Sequence, residues 1–276
     1  MTYASQPYMS SPEVSHFFAV DHVEEPNQLI QFLAVAKSLP GVLEAKDEML
    51  DRLAPEDASA GLDVGCGYGA DVEALAARLR LGGHAVGVDA SETMIAEARR
   101  RSVGSGFDVR FVVADALALP FDDDTFDVCR IETVLQHVDE PDQAVAEMAR
   151  VTRPGGRIAA LEFDAGTMFL DHPDVEFWEV IRATFIGAAV QGSAGRQLPR
   201  LFTDAGLTDV RATLRVIPSD AGFFRGLLGH PVTELVDAGV FTPERVERWW
   251  AAMEKAMTAG HFTGGATAFV VSGTVR

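Results

Sequence analysis

The sequence predicts an α/β fold built on a doubly wound, mainly parallel sheet, and two observations support this prediction. From residue 60 onward, short runs rich in Val, Leu, Ile and Ala alternate with segments whose apolar residues have helical spacing. Such alternation is typical of βαβ units with right-handed crossovers. The chain also has 276 residues, 47% of them hydrophobic, so one α/β unit with insertions can bury a complete core.

The first 58 residues precede this alternation and are expected to form an N-terminal arm and cap helices. Residues 1–25 are polar with a few aromatic side chains, which favours an arm that serves either as a lid or as ordinary surface. Apolar residues have helical spacing over 27–37, until Pro40-Gly41 interrupts them, and again over 42–53. Two helices are therefore predicted ahead of the sheet.

The alternating region contains five strand signals and three helix signals. Apolar, often β-branched runs predict the strands, whereas helical spacing followed by Gly or Pro predicts the helices. The predicted strands are 60–65, 84–90, 109–116, 126–132 and 157–164, and the predicted helices are 70–81, 91–102 and 141–156.

The C-terminal part departs from strict alternation. Helices are predicted over 173–189 and 197–205, a strand over 208–217 and a final strand over 267–276. A long helical segment, rather than another βα unit, joins these last two strands. Such a connection suits a final strand that runs opposite to the others.

The composition disfavours several classes of function. Acids number 41 against 23 Lys and Arg, and the net charge of −18 disfavours both nucleic-acid binding and docking on an anionic membrane. Only Cys66 and Cys129 occur, which is typical of a reducing compartment. No apolar run is long enough for a membrane span, and residues 1–11 do not read as a signal peptide. We expect a soluble, cytoplasmic protein.

The most informative stretch is LDVGCGYGAD, residues 62–71, where a buried strand enters a glycine-rich loop and a helix follows. Gly65, Gly67 and Gly69 allow positive φ and close approach of a ligand to the backbone, and the helix N-terminus offers amides. Asp89 ends the next strand, where a carboxylate can accept hydrogen bonds from both hydroxyls of a ribose. The pattern predicts a nucleoside-containing cofactor.

Two cofactor classes fit this loop. Written as Gly65-x-Gly67-x-x-Ala70, it also satisfies the dinucleotide fingerprint, so an NAD-dependent oxidoreductase stays open as an alternative. Asp63 would repel a pyrophosphate but would hold an ammonium or sulfonium group. Asp115, at the end of the third strand, can accept a hydrogen bond from an adenine amino group. These acids favour a cationic cofactor.

Five segments resemble, in order, the motifs of one family: LDVGCGYG, VGVDAS, VVADALALPF, FDVCRIETVLQHV and RVTRPGGRIAALE. They are similar to class I S-adenosylmethionine-dependent methyltransferases of the small-molecule type 11 group, over about residues 59–165. The resemblance implies a Rossmann-like sheet of seven strands with the last strand antiparallel between its neighbours. It also implies S-adenosyl-L-methionine (SAM) as cofactor, S-adenosyl-L-homocysteine (SAH) as product and a small-molecule acceptor.

The resemblance also assigns roles to individual residues. The family pattern places Asp63, Gly65 and Gly67 at the methionine end of the cofactor and Asp89 at the ribose. Cys66 lies within the same loop, where its small size suits it. The remaining cofactor-binding candidates lie beside the adenine (Ala90, Met94, Asp115 and Ala116) or line the cofactor or its mouth (Arg130 and Gln136).

Two residues are candidates for a general base. His137 follows the fourth strand, and an imidazole titrates in a useful range, although it could equally bond to the backbone or to the cofactor. Asp164 ends the fifth strand and is the second candidate, with a surface acid as the alternative. Arg130 either pairs with the methionine carboxylate or with Glu132. The run Asp122–Asp124 indicates a solvated loop and no metal site.

The predicted function is methyl transfer to a small molecule, in particular a natural-product or other secondary-metabolite intermediate. A protein with the same cofactor site that catalyses a non-methylating reaction, such as a cyclase, remains an alternative. Residues 1–58 are expected to be arm and cap helices, and 59–276 a single domain with cap insertions at about 166–206 and 218–262. The acceptor, the methylated atom and the oligomeric state stay open.

Overall fold

A seven-stranded sheet forms the centre of the protein, in a computed structural model that describes residues 21, 26–188 and 191–276. Almost all of the expected N-terminal arm lies outside the described residues. The strands are β1 Ala60–Val64, β2 His84–Asp89, β3 Asp108–Val113, β4 Phe126–Glu132, β5 Thr152–Leu170, β6 Thr208–Pro218 and β7 Gly264–Thr274. The helices are α1 Pro26–Lys37, α2 Pro40–Leu53, α3 Ala70–Ala76, α4 Glu92–Arg101, α5 Pro141–Val151, α6 Val175–Ala188, α7 Ala194–Asp204, α8 Ala221–Asp237 and α9 Pro243–Thr258.

The strand order is β3-β2-β1-β4-β5-β7-β6, and the predicted doubly wound sheet is confirmed. Strands β1 to β5 pair in parallel, whereas β7 runs antiparallel to both β5 and β6. The connection from β6 to β7 leaves and re-enters the sheet at the same end, since Pro218 pairs with Gly265. Helices α8 and α9 fill this connection, which is why the last strand is reversed.

Two predicted helices end earlier than expected. Residues 152–156 continue as β5 instead of α5, because Pro154-Gly155-Gly156 breaks the helix and Gly155 has a φ of 79°. Helix α3 stops at Ala76 instead of extending to residue 81, and the Arg80 amide donates to the Ala58 carbonyl rather than continuing the helical ladder.

Apolar side chains fill both faces of the sheet. One face packs against α5 and α7 around Leu62, Ile131 and Phe202, and the other against α2, α3 and α4 around Met49 and Val72. Strands buried on both faces are characteristic of such folds. Helix α7, within the range expected for a cap insertion, thus belongs to the core of the sheet.

A separate cap cluster lies over the carboxyl-terminal part of the sheet and is formed by α6, α8, α9 and the end of β5. Phe177 stacks between Phe241 and Trp249, with ring centroids 4.0 and 4.9 Å apart. Trp178, Trp249 and Trp250 are buried in this cluster.

Helix α1 covers the glycine loop, and α2 packs on one face of the sheet. On α1, Ile30 packs against Tyr68 of the loop and Met94 of α4. The described part of the chain contains no helix that is both long and apolar enough to cross a membrane.

Candidate active site

A cavity of about 430 Å³ opens at the carboxyl ends of the parallel strands, which is where ligands bind in open α/β sheets. It extends across the sheet from β3 to β6, beneath α1 and α8. Nine of the thirteen site residues predicted from the sequence line this cavity: Gly65, Gly67, Asp89, Ala90, Met94, Asp115, Ala116, Gln136 and His137. The other four, Asp63, Cys66, Arg130 and Asp164, do not reach its wall.

The glycine loop has a backbone that other residues would not tolerate, for two different reasons. Gly65 has a φ of 69°, and a Cβ there would overlap the side chain of Val134. Gly67 has a φ of 55°, but a Cβ there would meet no atom within 4 Å. Because Gly67 also lines the cavity, its missing side chain leaves space for a ligand. Gly65 therefore serves the packing of the loop, and Gly67 serves the open site.

Asp89 is held rigidly at the end of β2. Its Oδ2 accepts a hydrogen bond from the Gly67 amide and its Oδ1 one from the Ser91 amide, each at 2.9 Å. Burial raises the pKa of this carboxyl above its usual range. A carboxylate offers about four acceptor positions, so each oxygen keeps capacity for a second donor. The side chain therefore fits a ligand with two adjacent hydroxyls.

The next part of the wall is formed by the turns after β2 and β3. Met94 is buried on α4, and the Ser91 hydroxyl caps this helix by accepting from the Met94 amide at 3.1 Å. Asp115 is more exposed, and its Oδ1 accepts from the Leu117 amide at 2.9 Å. Asp21 also caps α4, with its carboxylate 2.7 Å from the Ser91 hydroxyl, and it lines the cavity.

Asp63 and Arg130 lie behind the loop, in a group of buried ionisable side chains that we call the buried charge cluster. Arg130 lies beside Asp63 in the register of β1 and β4, with a distance of 3.4 Å between Nε and Oδ1. Arg130 also donates to Glu132 through a short hydrogen bond. The Asp63 carboxylate therefore points at Arg130 rather than into the cavity. The members of the cluster are Lys37, Lys46, Asp63, Asp71, Arg130 and Glu132.

Two lysines from the N-terminal helices complete the cluster. Lys37 of α1 and Lys46 of α2 each donate to Asp71 at 2.8 Å, and Lys46 lies 3.2 Å from Glu132. With three acids and three bases the cluster is formally neutral, as buried charges require. Sequence reasoning missed both lysines, because no local motif marks a Lys whose partner is on a different helix.

The pKa values of Asp63 and Asp71 are shifted in opposite directions. Burial raises the pKa of Asp63 to about 6, and Arg130 only partly offsets this. Burial also acts to raise the pKa of Asp71, but Lys37 and the other nearby cations outweigh it and hold that pKa well below its usual range. Asp71 is thus the ionised anchor of the two lysines.

Lys37 also lines the cavity, and it is the single Lys or Arg on the part of the wall that the structure describes. Burial acts to lower its pKa, but Glu132 and Asp71 outweigh this and raise the pKa, so Lys37 is a permanent cation. The carboxylic acids on the same wall are Asp21, Asp89, Asp115, Glu132 and Glu234.

His137 reaches the cavity from a 3-10 turn, Leu135–His137, directly after β4. Burial lowers the pKa of its imidazole to about 4, so the ring is neutral at neutral pH. Glu162 of β5 holds this turn by accepting from the amides of Val134 at 2.8 Å and Leu135 at 2.7 Å. Burial raises the pKa of Glu162 to about 8.

Asp164 and Cys66 do not line the cavity, whereas a direct catalytic or binding role requires contact with a ligand there. Asp164 is fully buried, forms a bidentate ion pair with Arg196 and accepts from the Gly166 amide at 2.9 Å. Cys66 is buried behind the loop, and burial raises the pKa of its thiol. Among the described residues, no cluster of three or more His, Cys, Asp or Glu is placed to hold a metal ion.

The fold and the site agree with a known family. Residues 62–160, which contain the glycine loop, Asp89, Asp115 and His137, match the family model described as a methyltransferase domain. Residues 62–160 are therefore similar to a methyltransferase domain, and the resemblance of the motifs to class I SAM-dependent methyltransferases is confirmed.

Two curated relatives show how far the likeness extends. The chain is 35% identical over 234 residues to an uncharacterized 37.1 kDa protein in transposon TN4556 of Streptomyces fradiae, covering 82% of this chain and 65% of that protein. It is 40% identical over 120 residues to the ubiquinone/menaquinone biosynthesis C-methyltransferase UbiE of Roseobacter denitrificans, covering 43% of this chain and 48% of that protein. The chain thus spans less than two thirds of the length of either relative.

Solved structures share the fold at low identity. The YcgJ protein of Bacillus subtilis has a TM-score of 0.61 and 20% identity, covering 85% of this chain and 99% of that chain. A geranyl diphosphate methyltransferase in complex with SAM has a TM-score of 0.54 and 18% identity, covering 98% of both chains. The [4+2]-cyclase SpnF has a TM-score of 0.53 and 21% identity, covering 84% of this chain and 80% of that chain.

Proposed function

We propose that this protein binds SAM in the cavity and catalyses methyl transfer to a small-molecule acceptor, with SAH as product. The observation that carries the proposal is the geometry of Asp89. Both of its carboxylate oxygens are oriented by backbone amides, and both keep acceptor capacity at the cavity wall. A ribose bound there leaves the cofactor's remaining parts to extend along the cavity in either direction.

The neighbouring residues have complementary roles in this proposal. Ala90 and Met94 pack against the adenine, and Asp115 accepts from its amino group. Gly67 leaves room for the amino-acid end of the cofactor because its Cβ position is open. Lys37 is the cation that faces the carboxylate at this end, while Asp71 keeps it in place.

The cofactor, when bound, supplies an already activated methyl group on a sulfonium. What remains for the chain is positioning and exclusion of water, which together can contribute several kcal/mol to lowering the barrier. Helices α1 and α8 cover the cavity and provide the exclusion. The turn that carries Gln136 and His137 is fixed by Glu162 and provides part of the positioning.

For an oxygen acceptor, His137 is the proposed general base, and Asp164 is given no role because it is paired with Arg196. With a pKa of about 4, the His137 ring is unprotonated throughout the neutral pH range, which is the state that a general base requires. His137→Gln is expected to reduce turnover strongly while it leaves SAH affinity within about twofold. Equal turnover in both proteins would remove His137 as the base.

Cofactor binding is tested by calorimetric titration of SAH into the wild type and into Asp89→Asn. Loss of one acceptor and of the negative charge is expected to weaken binding at least about tenfold, which corresponds to about 1.4 kcal/mol. Asp142→Asn, on the exposed first turn of α5, is the matched control and should bind SAH normally. Unchanged affinity in Asp89→Asn would contradict the site assignment.

Binding and release of SAH distinguish the proposed methyl transfer from two alternatives, an NAD-dependent oxidoreductase and a non-methylating enzyme. A dinucleotide carries a pyrophosphate, which the five carboxylic acids of the described wall would repel more strongly than its single lysine would attract it. A thermal-shift comparison is therefore expected to show stabilisation by SAH and none by NAD. A non-methylating reaction in the same cavity would consume an acceptor without release of SAH.

A further inference from the structure

The part of the cavity away from Asp89 is lined mainly by apolar side chains. Asp89 and Asp115 follow β2 and β3, at one edge of the sheet, whereas the far wall is built on β5, β6 and α8. We call this part the acceptor chamber. The side chains that define it are Phe32, Met168, Ile217, Phe223, Phe224 and Leu227.

The roof of the acceptor chamber is a contact between the N-terminal helices and the cap. Phe32 of α1 stacks on Phe223 of α8, with ring centroids 5.9 Å apart and an interplanar angle of 21°. Phe223 also meets Phe224 edge-on at 6.4 Å, and Phe224 is anchored against Trp178 in the cap. The aromatic surface is therefore preorganised by its own packing.

The charge on the cavity wall selects against anions. Within the described part of the wall, Lys37 is the single Lys or Arg, and its ammonium is held 2.8 Å from Asp71 and 3.8 Å from Glu132. A phosphate, sulfonate or carboxylate on the acceptor would thus find no guanidinium on the described wall and would meet the Glu234 carboxylate on α8. An apolar, uncharged group would instead gain from burial against the aromatic roof.

A polar pair on α8 lies beside the chamber. His230 Nε2 lies 3.4 Å from Glu234 Oε1, one helical turn apart, and both residues line the cavity. The Glu234 side chain is 57% exposed, which places it at the mouth of the cavity. A polar end of a bound molecule can therefore meet this pair and solvent together.

From these observations we propose that the acceptor is an uncharged, mainly apolar molecule that lies beneath the Phe32–Phe223 roof with its polar end toward His230 and Glu234. This rests on the proposed function and deepens it, because it names the chemical class of the acceptor. Acceptors with phosphate, diphosphate, sulfonate or carboxylate groups are excluded by the same chemistry.

The test uses two fluorescent probes with one skeleton. N-phenyl-1-naphthylamine is uncharged, and 8-anilinonaphthalene-1-sulfonate carries an added sulfonate. Titration of the full chain, with and without saturating SAH, is expected to give a dissociation constant at least about tenfold lower for the uncharged probe. Equal or tighter binding of the sulfonate would overturn the proposal.

Variants locate the binding in the acceptor chamber. Leu227→Lys is expected to weaken the uncharged probe at least about fivefold and to strengthen the sulfonate, because it adds a cation to the wall. Leu214→Lys, at an exposed leucine of β6 outside the cavity, is the matched control and should change neither. If Leu227→Lys does not fold, as judged by circular dichroism, Phe223→Gln replaces it. Unaltered probe binding in the folded chamber variant would contradict the proposal.

The SAH titration separates this proposal from the one before it. Failure to bind SAH, with the probe preference intact, would contradict the proposed function and leave the chemistry of the chamber standing. Normal SAH binding with a preference for the sulfonate would leave the cofactor site standing and contradict the acceptor class.

Discussion

Glu162 gives a quantitative prediction, because it is a buried carboxyl whose two oxygens have unequal surroundings. Oε1 accepts from the amides of Val134 and Leu135, while Oε2 has no hydrogen-bond partner among the described residues. Burial raises its pKa from 4.5 to about 8. The perturbation is Glu162→Gln, which keeps the shape and the accepting oxygen but cannot ionise.

The sign of the pH dependence follows from the raised pKa. The folded protein binds the Glu162 proton more tightly than the unfolded chain does, so this contribution to stability is fully present below pH 4.5 and is lost as the pH rises through about 8. The difference between a pKa of 4.5 and a pKa of about 8 corresponds to about 5 kcal/mol at complete ionisation. Between pH 5 and pH 8 the expected loss is about 3 kcal/mol.

The assay is urea unfolding of both proteins at pH 5, 6, 7 and 8, followed by tryptophan fluorescence. Stability of Glu162→Gln relative to the wild type is expected to rise by about 3 kcal/mol across this range. Glu179→Gln, which removes a surface partner of Arg182, should give no such trend. If the stabilities of the wild type and Glu162→Gln changed in parallel with pH, the raised pKa of Glu162 would be contradicted.

Two further predictions concern the glycine loop and the charges beneath it. Lys46→Met removes a cation that pairs with Asp71 and Glu132, and it is expected to lower the free energy of unfolding by about 3 kcal/mol. Urea unfolding measures this change, and a value below about 1 kcal/mol would argue against the buried charge cluster. Gly65→Ala is expected to destabilise the fold, because its Cβ overlaps Val134, whereas Gly67→Ala is expected to fold with a cost of about 1–2 kcal/mol and to lose SAH affinity. The opposite ranking, measured by unfolding and calorimetry, would contradict the division of roles between the two glycines.

The elements that the sequence predicted well are those with local signals. The glycine loop, the strand that ends in Asp89 and the helix predicted over 91–102 each have a local signal, and the structure contains all three. The reversed final strand was also predictable, because the length and helical pattern of its connection are visible in the chain. Asp115 and His137 reach the cavity for the same reason, since each directly follows a strand.

Other features depend on contacts between distant parts of the chain and carry no such signal. Lys37 and Lys46 meet Asp71 across 34 and 25 residues, through helices that precede the sheet. Asp63 turns from the cavity to Arg130 only because β1 and β4 are adjacent in this register. Asp164, a plausible base by position, is paired with Arg196 of α7.

The acceptor chamber also depends on contacts between distant parts of the chain, so the sequence could not predict it. Its aromatic residues lie on α1 and α8, which six of the seven strands separate in sequence, and Phe32 stacks on Phe223 where the two helices meet. The sequence predicted a helix over 27–37 and a long helical segment between the last two strands, but it could not indicate which apolar residues face a ligand and which fill the cap. Only the folded arrangement distinguishes Phe223, on the cavity wall, from Trp249, in the cap core.

A crystal structure of the protein with SAH bound would test the proposed cofactor site most directly. We expect the ribose hydroxyls to lie within hydrogen-bond distance of both Asp89 oxygens and the sulfur to face the acceptor chamber. A ligand whose ribose lies away from Asp89, or whose sulfur is shielded from the chamber, would contradict it.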